Sequence, residues 1–262
     1  MFLARLLVLV SLVCISCAHS SFEQKQLKHA LDFATSNRLE LEILLQHYTY
    51  DSLKLEAAKF LIRNMPHCYS YQQGGEMDSV KRVRTYYSPF GQIDQTYARR
   101  WGHYTYRNLP KIYDAHIITA EYLIDNIDRA FDNWQKRPWN RSLSFEDFCE
   151  YLLPYRIGDE PLEEWRELYE KKYGYLLDSI YKGSDVVEAA NLVSRHLQEP
   201  VFIYCEDFEL PHIGPRYLFS HRYGSCVDAA DIVTYAFRAV GIPCMEDTDA
   251  RGGHVWNVVR DT

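Results

Sequence analysis

The sequence predicts an α+β fold, largely helical in its first part and mixed in its last part. Before residue 200, apolar residues recur at the spacing of amphipathic helices through most of the chain. After residue 200, β-branched and aromatic residues form short runs between glycines and prolines, which is typical of strands. Hydrophobic residues make up 47% of the 262 residues and charged residues 25%. This is ordinary globular usage, so a disordered chain or a collagen-like rod is excluded.

The charge balance excludes one class of function. Asp and Glu total 36 against 29 Lys and Arg, which gives a formal net charge of -7. Because nucleic-acid binding needs a basic surface and the chain has no extended basic run, we expect no nucleic-acid partner. The 21 tyrosines are the outlier in composition. Tyrosine is common where peptide or carbohydrate is bound, but aromatic side chains also bury area on helix faces.

The N-terminus predicts an export signal. The apolar run from Leu6 to Val13 follows Arg5 and is far shorter than the ~18 to 20 residues of a membrane-spanning helix. Ser16 before Cys17 resembles a bacterial lipobox, in which the cysteine becomes a lipid-modified N-terminus. We therefore expect a signal peptide over 1–16 and a membrane anchor at Cys17. Ordinary cleavage after Ala18-His19-Ser20 remains an alternative.

The remaining cysteines carry no metal signature. Five follow the signal, which is an odd number, so at least one thiol is unpaired within the chain: Cys68, Cys149, Cys205, Cys226 and Cys244. Export would allow disulfides among the others. Neither Cys-x2-Cys nor His-x3-His spacing occurs, and His212 is expected to be a surface or hydrogen-bonded core residue. The sequence therefore predicts no metal and no cofactor.

Helical periodicity and its interruptions predict the elements in order. Three helices come first, and Pro66 stops the third. The segment 66–110 loses the pattern and is predicted to be a long irregular connection. Four further helices and one short β-prone run follow, with Ser144 and Asp147 forming a capping-box-like start and Asp185 near another cap. The predicted helices cover 22–34, 38–48, 52–64, 115–135, 144–151, 160–181 and 185–198, and the β-prone run covers 201–204. We expect a helical N-terminal region over 17–140 and a core domain over 141–262.

A cysteine opens the next predicted helix, 227–240. Gly241 ends this helix and Pro243 prevents its continuation. Cys226 therefore lies at the helix N-terminus, where free backbone N–H groups and the macrodipole favour a negatively charged sulfur. Helical steps of three and four place Cys226 on one face with Ala230, Val233, Phe237 and Val240. We expect the sulfur to point inward, at the floor of a cleft.

A histidine opens the last predicted strand. Arg251-Gly252-Gly253 predicts a turn, and 254–259 is a strand by its β-branched and aromatic content. His254 at the strand start would face Cys226 as a general base, which nucleophilic thiol catalysis requires. Tyr223 and Trp256 are expected to wall the cleft, with Trp256 packed against the helix, and the backbone N–H of Cys226 would stabilise an oxyanion. Asp228, in the first helical turn, is expected to be a dipole partner rather than a catalytic group.

Together these motifs resemble the transglutaminase-like superfamily, which shares the papain-like cysteine-protease architecture. The family pattern matches Gly224 to Asp228, Gly241-Ile242-Pro243 and His254 to Trp256, in roughly the last third of the chain. The resemblance implies that Cys226 is the nucleophile and His254 the general base, on a helix packed against an antiparallel sheet. The run from Phe145 to Arg156, with Trp165-Arg166, also resembles exported lipoproteins of Bacteroides-type bacteria. This implies a lipid-anchored location in a Gram-negative cell envelope, on the periplasmic or the outer-membrane side.

One member of the family triad is missing. The family carries an Asp on the strand after the histidine strand, whereas Asp261 and Asn257 both lie at odd offsets from His254 and so face the other way. We therefore expect the native chain to continue beyond Thr262 with a strand that bears this Asp.

Two functions follow from these expectations. The first is an exported enzyme that cleaves or transfers an amide of a peptide, protein or cell-wall peptide through a Cys–His acyl-enzyme route. The alternative is a non-catalytic cell-envelope lipoprotein that binds peptide or glycan. It would use the aromatic-rich segment 66–110 and a degenerate cleft.

Overall fold

The computed structural model describes residues 22–87, 106–199, 202–204, 210–251 and 253–261. The predicted signal peptide, the predicted lipidation site Cys17 and the thiol Cys205 lie outside these residues. Within them the fold is α+β, as predicted. The first three helices are confirmed as α1 (22–33), α2 (Arg38–His47) and α3 (Ser52–Asn64). The Asp51 side chain caps α3 by accepting from the backbone N–H of Lys54.

The prediction of an irregular segment over 66–110 is wrong for its described part. Strand β1 (Tyr69–Tyr71) pairs antiparallel with β2 (Lys111–Tyr113), and α4 (Gly75–Tyr87) follows β1. Gly74 and Gly75 adopt positive φ values of 97° and 57°, so the chain turns sharply into α4. This helix is strongly charged and begins at a pair of glycines that is typical of a turn, which is why it was not predicted.

The next two helices complete the first hydrophobic core. Helix α5 (Ala120–Lys136) begins later than predicted because Asp114–His116 forms a separate 3₁₀ turn and Thr119 caps the helix. Helix α6 (Phe145–Tyr151) begins as predicted, with the Ser144 hydroxyl accepting from the backbone N–H of Asp147. Residues from α1, α2, α3, α5 and α6 form this core.

One helix of the second half begins six residues later than predicted. Helix α7 covers Arg166–Tyr175 and continues as a π-helical turn, Leu176–Ile180. The predicted start fails because the Glu160 carboxylate accepts from the backbone N–H groups of Ile157 and Gly158, which holds a loop there. Helix α8 (Val186–Leu197) begins as predicted, with Asp185 as its cap.

The C-terminal elements surround one buried helix. Strand β3 (Ile203–Tyr204) pairs in parallel with β4 (Tyr223–Gly224), and the short helix α9 (Pro215–Ser220) lies between them in the chain. Helix α10 (Cys226–Val240) ends at Gly241 in the left-handed conformation, as predicted. Strands β5 (Cys244–Thr248) and β6 (Val255–Val259) form an antiparallel hairpin in which Cys244 pairs with Val259 and Thr248 with Val255. The hairpin packs on α10.

The second core consists of α7, α8, α10 and β5, together with Trp139. The first core includes residues as far along the chain as Tyr155, whereas the second core already includes Trp139. The two cores therefore overlap along the sequence between residues 139 and 155. The division at residue 140 therefore remains a prediction. No helix in the described ranges is both long and apolar enough to cross a membrane.

Candidate functional site

Cys226 is the first residue of α10, and its helix start is fixed by a capping box. The backbone N–H of Ser225 donates to Asp228 Oδ2 at 2.8 Å, and the Ser225 side chain accepts in return from the third helical residue. Cys226 is half-buried, whereas Ala230, Phe237 and Val240 are buried. In the part of the chain that the structure describes, no hydrogen bond involves the Cys226 sulfur. The predicted position at the helix N-terminus is confirmed.

The β5–β6 hairpin presents one of its two faces to α10. Asn257 Nδ2 donates to the carbonyl oxygen of Ala230 at 2.9 Å and to Thr234 Oγ1 at 2.8 Å, so Asn257 faces the helix. Because side chains alternate along a strand, His254 and Trp256 lie on the other face. Their ring centroids are 6.0 Å apart and Trp256 is 39% exposed. The prediction that Trp256 packs against the helix is therefore wrong.

The topology brings His254 to the same end of α10 as Cys226. Strand β5 follows the C-terminus of α10 and runs back along it, so the turn before β6 lies near the N-terminus of the helix. His254 lies three residues before Asn257 on the strand, a span of roughly 10 Å. Cys226 lies four residues before Ala230 on the helix, a span of roughly 6 Å in the same direction. The imidazole of His254 is exposed, and no hydrogen bond joins it to Cys226 among the described residues. The side chain of Tyr223, the other predicted cleft residue, lies outside the described part.

Asp228 has a partner that the sequence did not indicate. Arg84 Nη2 in α4 donates to Asp228 Oδ2 at 2.6 Å, and the side chains of Arg84 and Asp228 are 3% and 8% exposed. Gly224 approaches this pair so closely that a Cβ atom would overlap both partners, and its φ of +150° also disfavours a side chain. Gly224, two residues before Cys226, therefore leaves space for the Arg84–Asp228 ion pair. Asp228 caps the helix, as expected of a dipole partner.

A cavity of about 1300 Å³ lies beside the start of α10. Its wall includes the neighbours of Cys226 in sequence, Ser225 and Val227, but not Cys226 itself. The segment predicted to be irregular contributes Cys68, Tyr69, Arg84, Tyr106 and Arg107 to the wall. Because Cys226 does not line this cavity, the prediction of a cleft with the Cys226 sulfur at its floor remains a prediction.

A second cluster of functional side chains borders the same cavity. His212, which lines the cavity, places its Nδ1 atom 2.8 Å from Asp231 Oδ1, and Glu246 completes a group whose ligand atoms all lie within 4.8 Å. Burial would lower the pKa of His212, but the charge of Asp231, the hydrogen bond to Asp231 and the charges of Glu160 and Asp159 together outweigh burial and raise that pKa to about 10. Burial, followed by the charge of Asp231, raises the pKa of Glu246 to about 9.

This cluster has no signature in the sequence, because its members come from three elements and form no local motif. The structure confirms only that His212 is a hydrogen-bonded, partly buried residue. Gly158, which packs against the ring so closely that a Cβ atom would overlap it, is a local signal of a close approach.

The other three described thiols have raised pKa values, which makes them poorer nucleophiles. Burial, followed by the nearby Asp114 charge, raises the pKa of Cys68 to about 11. Burial also raises the pKa of Cys149 to about 12 and that of Cys244 to about 11. Cys68, Cys149, Cys226 and Cys244 are all free thiols.

Comparison with known proteins adds no relative. No protein-family model matches the chain, and comparison with curated proteins and with solved structures found no match.

Proposed function

We propose that this protein is a transglutaminase-like cysteine enzyme that cleaves or transfers an amide through an acyl-enzyme intermediate on Cys226. The observation that carries the proposal is the position of Cys226 as the first residue of the buried helix α10. The first backbone N–H groups of a helix have no intrahelical acceptor, so they can stabilise a thiolate and the oxyanion that forms on a substrate carbonyl.

In the proposed reaction, His254 takes the proton of the Cys226 thiol as the sulfur attacks the carbonyl carbon. The C–N bond then breaks, and the amine leaves with the proton from the imidazole. Water hydrolyses the resulting thioester, or a second amine takes the acyl group. The location of the β5–β6 turn near the start of α10 supports this pairing. The His254 ring faces away from α10. Proton transfer from Cys226 therefore also requires this side chain to turn around the start of β6 toward the sulfur.

The substrate we propose is a peptide, a protein or a cell-wall peptide. The resemblance to the transglutaminase-like superfamily supports this class of substrate. The proposed anchor at Cys17, which would hold the enzyme at a membrane of the cell envelope, supports the cell-wall peptide. The proposal includes no cofactor.

Thiol labelling tests the proposal. With iodoacetamide at pH 7.5 and peptide mass mapping, we expect Cys226 to be modified about tenfold faster than Cys68, Cys149 and Cys244, because their thiols are un-ionised at that pH. His254→Ala should slow the labelling of Cys226 severalfold. His29→Ala removes another exposed histidine and should leave the rate unchanged. If His254→Ala labels at the wild-type rate, Cys226 is an accessible structural thiol and the catalytic proposal fails.

A second function, peptide or glycan binding without catalysis, is favoured by the cavity. Its wall carries Tyr69, Tyr106 and Arg107 and does not include the proposed nucleophile. Cys226→Ala distinguishes the two functions. If the variant still binds peptide and the wild type releases no amine from it, the binding function is supported and the enzymatic one is not.

A further inference from the structure

Three side chains from separate elements converge beside the cavity. His212 lies in the loop before α9, Asp231 in α10 and Glu246 in β5, and one potential ligand atom of each lies within 4.8 Å of the other two. Ligand atoms that each lie about 2.1 Å from an ion are about 3 Å apart at a right angle and about 4.2 Å apart when opposite. The limit of 4.8 Å is close to this range, so small side-chain shifts would place the three groups around a single ion.

The charges of the group also favour a cation. Asp231 is fully buried and Glu246 is half-buried, so two carboxyl groups share one desolvated site with a single imidazole. The buried guanidinium of Arg238 does not neutralise them by hydrogen bonding, since its donors go to the carbonyl oxygens of Tyr151, Cys244 and Arg156. Two buried carboxylates close together need a proton or a cation to coexist.

Neighbouring residues hold the three side chains in place. Thr234 Oγ1 donates to Glu246 Oε1 at 3.2 Å, and Asn257 Nδ2 donates in turn to Thr234 Oγ1 at 2.8 Å. The backbone N–H of His212 donates to Asp159 Oδ1 at 2.9 Å, and the imidazole packs on Gly158. Such outer hydrogen bonds orient the ligands of protein metal sites.

We propose that His212, Asp231 and Glu246 bind one divalent transition-metal ion. One imidazole nitrogen and two carboxylate oxygens form a ligand set that suits Mn²⁺ or Zn²⁺. With three protein ligands, the ion keeps open positions, and one of those ligands, His212, lines the cavity. The site does not depend on the proposed chemistry of Cys226.

Manganese binding tests this site in the chain as it stands. Mn²⁺ is chosen as the probe because it prefers oxygen and nitrogen ligands, so the free thiols compete little for it. Titration followed by loss of the free Mn²⁺ signal in electron paramagnetic resonance should show one ion bound per chain. Glu246→Gln and Asp231→Asn should each weaken binding about tenfold or more. The control Glu150→Gln changes an exposed carboxylate on the same cavity and should bind Mn²⁺ as the wild type does.

A melting assay separates the loss of Mn²⁺ binding from a failure of the variant to fold. Mn²⁺ should raise the melting temperature of the wild type and of Glu150→Gln, but not that of Glu246→Gln. If Asp231→Asn does not fold, Glu246→Gln decides the outcome, because its side chain is less buried. The proposal is overturned if the wild type binds no stoichiometric Mn²⁺, or if Glu246→Gln binds it with unchanged affinity.

Discussion

Arg84 and Asp228 are 144 residues apart in the chain, yet they form a buried ion pair beside Cys226. The Ser225 backbone also donates to Asp228, so this one carboxylate joins α4 to the start of α10. A buried charge whose partner is removed is strongly destabilising, because its desolvation is no longer offset. The pair therefore fixes the local structure around the proposed nucleophile.

Arg84→Met should lower the free energy of unfolding by about 3 kcal/mol, because it leaves the Asp228 carboxylate buried without its cation. Chemical denaturation followed by circular dichroism measures this loss. Arg82→Met is the matched control, since Arg82 is exposed on the same helix and should change stability by less than about 0.5 kcal/mol. Equal stability of the two variants would show that the ion pair contributes nothing.

Residues with local signals were predictable, and residues with distant partners were not. Ser144, Asp185 and Gly241 occupy the caps that the sequence indicated, because a cap depends on the few residues around it. By contrast, the roles of Arg84 and Asp231 depend on partners far away in the chain. Trp256 was assigned to the wrong face because a strand's alternation does not say which face is covered.

Helix α10 was predicted from the sequence almost to the residue, whereas helix α4 was missed. Helix α10 has a strong apolar stripe, a capping start and a glycine stop, so local propensity and burial agree. Glycine is required at position 241, at the end of α10, for two reasons. Its φ is +82°, and a Cβ atom there would lie 2.8 Å from both the Asn133 carbonyl oxygen and Arg137 Cγ.

Gly241→Ala should therefore destabilise the protein by more than the left-handed conformation alone. Gly75→Ala supplies the comparison, because Gly75 also has a positive φ, +57°, but nothing lies within 4 Å of the added Cβ atom. We expect a loss of about 1 kcal/mol for Gly75→Ala and about 3 kcal/mol for Gly241→Ala. Thermal melts of both variants measure the difference. Equal losses would mean that Asn133 and Arg137 yield without cost.

For the whole molecule, Arg166 connects the two hydrophobic cores. Its guanidinium donates to Asn126 Oδ1 of α5 and to the carbonyl oxygen of Arg238 in α10. The same group also donates to the carbonyl oxygens of Leu152, Leu153 and Pro154. The α+β class and the helical first half were predictable from composition and periodicity. The link between the cores was not, because a buried arginine that serves carbonyl oxygens has no local pattern.

Arg166→Met should lower the melting temperature and broaden or split the transition, since several buried carbonyl oxygens lose their donor and the cores lose one of their connections. We expect a loss of about 3 kcal/mol or more, measured by calorimetry. Arg38→Met serves as the control because Arg38 makes only exposed ion pairs within the first core, to Asp32 of α1 and Glu42 of α2, which contribute about 0.5 kcal/mol each. A single sharp transition at the wild-type temperature in Arg166→Met would contradict this account of the link.

The Arg84–Asp228 pair also sets an order of events during synthesis. Domains form N-terminal parts first as the chain emerges, and contacts between distant residues form last because closing a long loop costs entropy. Helices α2 and α3 contact α5 without any residue beyond 136, whereas Arg84 stays without Asp228 until residue 228 has been made. The wall of the cavity next to α10 is therefore completed last, after most of the chain has been translated.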